Sequence, residues 1–245
     1  MMAMRETSSI LPLRIENLVY DKDGRHLIDG ISLSVPRGGL TAVLGPNGAG
    51  KSLLLRLCHG LIAPTSGRIV WANGDGLVDG RRRHGMVFQR PVMLRRSVRA
   101  NLDHALRATG LHGRVLAERS HAALDRFGLT DLAARPARVL SGGEQQRLAI
   151  ARAWAMHPDV IFLDEPTANL DPGASRQIEV ELAALVAEGV TLMMATHDFA
   201  QARRLAHHVV FLHHGQLRES SPAAMFFTKP ETPEAQAFLA GDLAW

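Results

Sequence analysis

The chain has 245 residues, of which 46% are hydrophobic, with a net charge of +4 and one cysteine. That apolar share is enough for a sizeable core, built as one large domain or as a core with a subdomain. A single cysteine excludes an intramolecular disulfide and points to a reducing compartment. No apolar run reaches the ~20 residues that span a bilayer, and the N-terminus MMAMRETSSI lacks the apolar stretch of a signal peptide, so any membrane role must go through a partner chain.

Residues 11–88 read mainly as strands and turns. LRIENLVY, ISLSV, LTAVLG and GRIVWA are short apolar or alternating runs punctuated by Gly, Asp and Pro. One helix interrupts them at 51–62, carrying Leu53, Leu54, Leu57, Leu61 and Ile62 and ending near Pro64; Cys58 falls on it as a packing residue. From about 90 to 157 the character is helical. Ser97 is placed as the N-cap of 98–109, a second amphipathic segment at 114–127 closes on Gly128, and a third at 141–156 closes on His157-Pro158. Beyond Pro158 strands and helices alternate: VIFLD, a helix around 173–188, TLMMAT, a helix around 198–206, then VVFLHHG. Continuous apolar strands alternating with helices imply a parallel sheet covered on both faces. From Ser221 the sequence is mixed, ending in FLAGDLAW. The pattern is an α/β core interrupted by a helical subdomain. The clusters Arg81-Arg82-Arg83 and Arg90, Arg95, Arg96, Arg99 read as solvated faces, and the pairs His207-His208 and His213-His214 lack the further ligands of a metal site.

Three stretches carry chemistry. Residues 45–52 read Gly45-Pro46-Asn47-Gly48-Ala49-Gly50-Lys51-Ser52, between a strand and a helix that continues through Leu53, and match G-x-x-x-x-G-K-[ST]. The glycines let backbone N–H groups curl around phosphates. The helix start adds about half a positive charge, Lys51 can reach β- and γ-phosphates, and the Ser52 hydroxyl suits Mg2+. VIFLDEP at 160–166 is a buried strand ending abruptly in Asp164 and Glu165, at the carboxyl end where α/β sheets bind ligands. Asp164 suits the metal and Glu165 could polarise an attacking water. His197 follows the strand TLMMAT and could reach a γ-phosphate oxygen. Separately, LSGGEQQR at 140–147 opens a helix with a capping box of Ser141 and Glu144. Gly142 and Gly143 sit in its first turn, where each weakens a helix by about 1 kcal/mol.

The set GPNGAGKS, LSGGEQQR, VIFLDEP, ANLD at 168–171 and His197 resembles the ATPase subunits of ABC transporters in order and spacing, over nearly the whole chain. The resemblance implies an α/β fold: a P-loop NTPase (RecA-like) core with a mixed, largely parallel sheet, an N-terminal antiparallel β-subdomain and an inserted α-helical subdomain. It implies one ATPase domain over 11–245, with the core at 11–89 and 158–220, the helical subdomain at 90–157 and a tail at 221–245. ATP and Mg2+ follow from it. Tyr20 matches the aromatic that stacks on adenine, and residues 45–53 match the phosphate loop. Ser52, Gln89 and Asp164 match the metal-side residues, Glu165 the general base and His197 the switch histidine. Ser141, Gly142, Gly143, Glu144, Asn169 and Asp171 match groups that meet an ATP held by a second copy in a head-to-tail homodimer. The two glycines would then leave N–H groups accessible to that phosphate. Glu144 stands where many members have Gln, a variant familiar among importers.

The segment beyond Gln89 matches the region that receives a coupling helix from a membrane permease. RPVMLRRSVRANL and the tail FFTKPETPEAQAFLAGDLAW resemble those of tungstate importer ATPases, within the oxyanion and phosphate group. Import of molybdate, phosphate or a polar amino acid is the alternative. An ABC ATPase acting on nucleic acid or the ribosome is a further one, though such members usually carry a second cassette, long insertions or zinc-binding cysteines. The expected setting is the cytoplasmic face of the cell membrane, with a substrate-binding protein as an indirect partner and no nucleic acid.

Overall fold

The Asp23-Gly24 pair turns the first two strands back on one another. Both residues have positive φ, 52° and 74°, the backbone that a two-residue hairpin with right-handed strand twist requires. The computed structural model describes residues 9–74, 76–78 and 81–242. Residues 1–8 and the terminal Leu-Ala-Trp lie outside it, as do the side chains of Arg81 and Arg82 from the Arg81–Arg83 run. Strands β1 (Leu13–Lys22), β2 (Arg25–Val35) and β4 (Ser66–Trp71) form an antiparallel sheet in the order β2-β1-β4.

The central sheet is built from β3 (Leu40–Leu44), β7 (His84–Val87), β8 (Val160–Asp164), β9 (Thr191–Ala195), β10 (His208–His213) and β11 (Gln216–Pro222). Its order is β11-β10-β3-β9-β8-β7. All neighbours run parallel except β11, which returns antiparallel to β10. A small hairpin of β5 (Leu77–Val78) and β6 (Arg81–Arg82) lies apart from both sheets.

Side chains alternate across a strand, and here both faces are apolar. Val160, Phe162, Met193, Ala195, Val210 and Leu212 pack with Leu54, Leu57 and Cys58 of α1 (Lys51–His59) and with Leu13, Ile15 and Ile28 of the antiparallel sheet. Ile161, Leu163, Leu192, Met194, Val209 and Phe211 face the other way, into a second cluster. That cluster contains residues of α2 (Val98–Ala108), α3 (Gly113–Arg126), α4 (Gly142–Ala155) and α5 (Pro172–Ala187). The sheet is thus covered on both faces, but one cover is mainly a second sheet.

Several helices form close to the expected places. Ser97 caps α2 by accepting from the Ala100 N–H at 3.2 Å. The first helix is shorter than its apolar pattern: Gly60, at φ 78°, ends α1 after His59, and Leu61 is left 50% exposed. The mixed tail folds into α7 (Ala223–Thr228) and α8 (Pro233–Ala240), whose Phe226 and Phe238 join the core beside Phe211. A short α6 (Phe199–Leu205) precedes β10.

Cys58 is 2% exposed, and burial pushes its thiol up to about 12. A buried thiol held in its neutral form is a poor nucleophile. Maleimide labelling followed by intact mass should show no modification of the native protein and complete modification in denaturant.

Candidate functional site

The loop leaving β3 begins at Gly45, whose φ is 147°. A Cβ there would lie 2.1 Å from the Leu212 carbonyl oxygen, so the close passage of the loop under β10 admits only glycine. The loop ends at Gly50, which caps α1 with no side-chain hydrogen bond. A helix start without a side-chain cap suits a phosphate.

A cleft of about 570 Å3 opens above this turn. It brings Asn47, Gly48, Gly50, Lys51, Ser52 and Leu53 together with Gln89, Glu165 and His197, which come from the ends of three other parallel strands. Gly45, Pro46 and Ala49 belong to the same loop but do not line the cleft. Leu27 and Arg56 complete the wall and were not singled out from the sequence. Arg56 lies one helical turn after Ser52, a spacing that puts both on one face, whereas Leu27 is distinguished only by being an exposed apolar residue on β2. Tyr20 lies outside the lining, paired with Ile28 and half-buried against the core.

Asp164 is 2% exposed. It accepts from the Ser52 hydroxyl at 2.5 Å and lies 3.5 Å from the Arg56 guanidinium. Mg2+ prefers oxygen donors and is commonly held by one or two carboxylates plus substrate phosphates. Ser52 and Asp164 fit that donor set, with Gln89 in the same cleft. Lys51 donates to the carbonyls of Gly45 at 2.7 Å and Pro46 at 3.0 Å. Burial lowers its pKa, and the neighbouring Glu165 and Asp164 partly restore it. Glu165 has φ 49°, a left-handed backbone that a non-glycine residue adopts at a cost of about 1–3 kcal/mol and that often marks a working site. Its carboxylate meets His197 Nδ1 at 2.9 Å.

The second helix start sits elsewhere. Ser141 Oγ accepts from the Glu144 N–H at 3.3 Å, and Glu144 accepts from the Ser141 N–H at 2.7 Å, so the capping box forms. Asp171 caps α5 by accepting from the Ala174 N–H at 2.9 Å, and Asn169 takes a left-handed backbone. None of Ser141, Gly142, Gly143, Glu144, Asn169 and Asp171 lines the cleft. The glycines also have a reason within the chain: a Cβ on Gly143 would come within 2.8 Å of Ala174 Cβ, and one on Gly142 within 3.2 Å of Leu170. Glycine lets the start of α4 lie against the start of α5.

The ABC transporter family profile matches residues 28–168. A phosphate import ATP-binding protein of Natronomonas pharaonis is 37% identical over 249 residues, spanning 95% of this chain and 88% of that one. A methionine import ATP-binding protein of Bradyrhizobium diazoefficiens is 39% identical over 228 residues, spanning 89% of this chain and 66% of that one. A solved ATP-binding cassette, in a dimeric post-hydrolysis state bound to ADP and Pi, matches with a TM-score of 0.76 at 28% identity, covering 86% of this chain and 98% of that one. Fold and cleft define an α/β P-loop NTPase. The chain belongs to the ABC transporter family, as an ATP-binding domain.

The Gly143–Ala174 contact is testable. Gly143→Ala should destabilise the protein by about 1–3 kcal/mol through overpacking, lowering the melting temperature by roughly 2–10 °C. In calorimetry Ala174→Gly should cost less stability in the Gly143→Ala background than in the wild type, because only there does it also relieve the clash. An equal cost in both backgrounds would show that the contact is not what requires glycine.

Proposed function

We propose that this chain binds and hydrolyses ATP to energise a membrane importer, as one ATPase domain over 11–245. The observation that carries the reading is the Glu165–His197 contact, made in the same cleft as Lys51 and Ser52. Lys51 and the loop N–H groups hold the β- and γ-phosphates. Ser52, Asp164 and Gln89 would hold Mg2+, which would supply charge neutralisation on the transferred phosphoryl group. Glu165 takes a proton from the attacking water, and His197 orients that carboxylate and the γ-phosphate. Leu53 follows the phosphate loop, and Tyr20 stacks on adenine.

Two copies associate head to tail. The Ser141, Gly142, Gly143 and Glu144 helix start, with Asn169 and Asp171, then closes over the ATP held by the other copy and stabilises charge on its phosphates. The exposure of Ser141, Gly142, Asn169 and Asp171, away from the chain's own cleft, supports this reading. So does the dimeric cassette relative.

The membrane partner meets the helical subdomain. Val92 and Val139 are 69% and 70% exposed, and Arg90, Arg95 and Arg96 are exposed on the same stretch of chain. Arg138 donates to the Met93 carbonyl, so Val139 lies beside the 92–96 segment. Two apolar residues among arginines suit a permease coupling helix. Among the described residues no helix is long and apolar enough to cross a membrane, consistent with a peripheral position on the cytoplasmic face. The cargo is a small oxyanion delivered by a substrate-binding protein. Tungstate is favoured by the 90–102 segment and the tail, and phosphate by the phosphate import relative.

Glu165→Gln should retain ATP binding, lose at least about a hundredfold in turnover, and accumulate an ATP-bound dimer in gel filtration. Wild-type turnover by that variant would reject Glu165 as the base. ATP-driven uptake into vesicles carrying the permease and binding protein should be stimulated by tungstate above molybdate, phosphate and methionine. Preference for any of the others would reassign the cargo.

A further inference from the structure

Glu165 and His197 stand on different loops, leaving β8 and β9, and their 2.9 Å contact requires both loops to be held in register. The strained backbone of Glu165, at φ 49°, makes that requirement stricter, because such a conformation persists only where its surroundings over-determine it. Backbone bonds supply part of the restraint: the Glu165 N–H donates to Ala195 O at 2.9 Å, and the Ala168 N–H to Glu165 O at 3.1 Å.

A side chain supplies the rest. Gln201, on α6, is 1% exposed. Its Oε1 accepts from the Thr196 hydroxyl at 3.1 Å, and its Nε2 donates to the Thr167 hydroxyl at 2.8 Å. Thr196 immediately precedes His197, and Thr167 lies two residues past Glu165. The Thr196 hydroxyl also accepts from the Asp198 N–H at 3.1 Å, so it works as acceptor and donor at once, which a hydroxyl can do. Gln201 is itself fixed, since its N–H donates to the Asp198 carboxylate that caps α6 at 2.9 Å. One buried amide therefore ties together the two loops that carry the reacting groups. Neither Gln201 nor Thr167 lines the cleft.

We propose that Gln201, acting through Thr167 and Thr196, is a positioning residue that holds Glu165 and His197 at their working separation. The proposal rests on the reading of Glu165 as the base. Without the bridge the Glu165 turn can relax and the carboxylate leave its place by a fraction of an ångström. A displacement of that kind slows the chemical step while leaving the phosphate loop, and so nucleotide binding, in place.

The test uses the full chain, with Glu165→Gln measured alongside. Gln201→Leu keeps the shape and removes both bonds. Thr167→Val removes one of them at a half-buried position. Both should lower kcat by about ten- to a hundredfold with KM for ATP within about threefold of wild type. Thr167→Ser, which keeps the hydroxyl, should stay within about twofold of the wild-type kcat. The Gln201→Leu/Thr167→Val double variant should be no slower than Gln201→Leu, because both remove the same bond. Wild-type kcat in both single variants while Glu165→Gln is inactive would overturn the bridge alone. So would losses that multiply in the double variant, or a Thr167→Ser enzyme as slow as Thr167→Val. Wild-type turnover by Glu165→Gln would overturn the underlying reading, and the proposal with it.

Discussion

The parallel register of β3, β9, β8 and β7 is the constraint on which the site depends. Val43 lies beside Ala195, Ala195 beside Asp164, and Val87 beside Leu163. Because the strands run the same way, their carboxyl ends finish at one edge of the sheet. The phosphate loop, Asp164-Glu165, His197 and Gln89 then arise side by side from segments far apart in sequence. Ser52 and Asp164, separated by 112 positions, can share a hydrogen bond. Such an edge is where open α/β sheets place ligands.

Burial of both faces of that sheet makes the register firm. A slip of one residue would exchange Phe162, Met193 and Val210 with Ile161, Leu192 and Val209 between two differently shaped cores, one roofed by strands and α1, the other by helices. The tail takes part in the helical side. Phe238 stacks edge-on against Phe199 at 4.6 Å, and Phe199 opens α6 two residues after His197. Arg204 of α6 is joined to Glu179 of α5. Burial alone would raise the Glu179 carboxyl, but Arg204 and Arg176 hold it below its ordinary value. The loop bearing His197 is therefore braced from the tail, from α5 and through Gln201.

The α4 helix start answers two demands with the same residues. Its capping box satisfies first-turn donors within the chain, while Gly143 lets α4 press against Ala174 at the start of α5. That contact, with Gly142 against Leu170, packs the 141–144 segment beside the 169–171 loop, so the two segments proposed to meet another copy's ATP are joined within one chain.

Local chemistry was legible in the sequence where it needs few residues in a row. GPNGAGKS announced a phosphate loop, Ser97 and Ser141 announced helix starts, and four apolar residues before Asp164 announced a buried strand, because loop curvature, caps and strand periodicity are short-range effects. The shortened α1 was not legible: Leu61 and Ile62 continue the apolar pattern, but Gly60 turns the backbone left-handed and outweighs it. The tail hid α7 and α8 because its prolines and short apolar runs lack a long period, and only packing against Phe211 makes Phe226 and Phe238 core residues. Nothing in the sequence distinguishes Gln201 from the other polar residues of its short helix. Its partners lie five and thirty-four positions away, and the sheet register alone brings them together. The sequence by itself determined the chemistry available to this protein, through motifs that act within a turn. Tertiary structure decided which distant groups meet, because hydrogen bonds and close packing depend on ångström distances that strand order and core packing set.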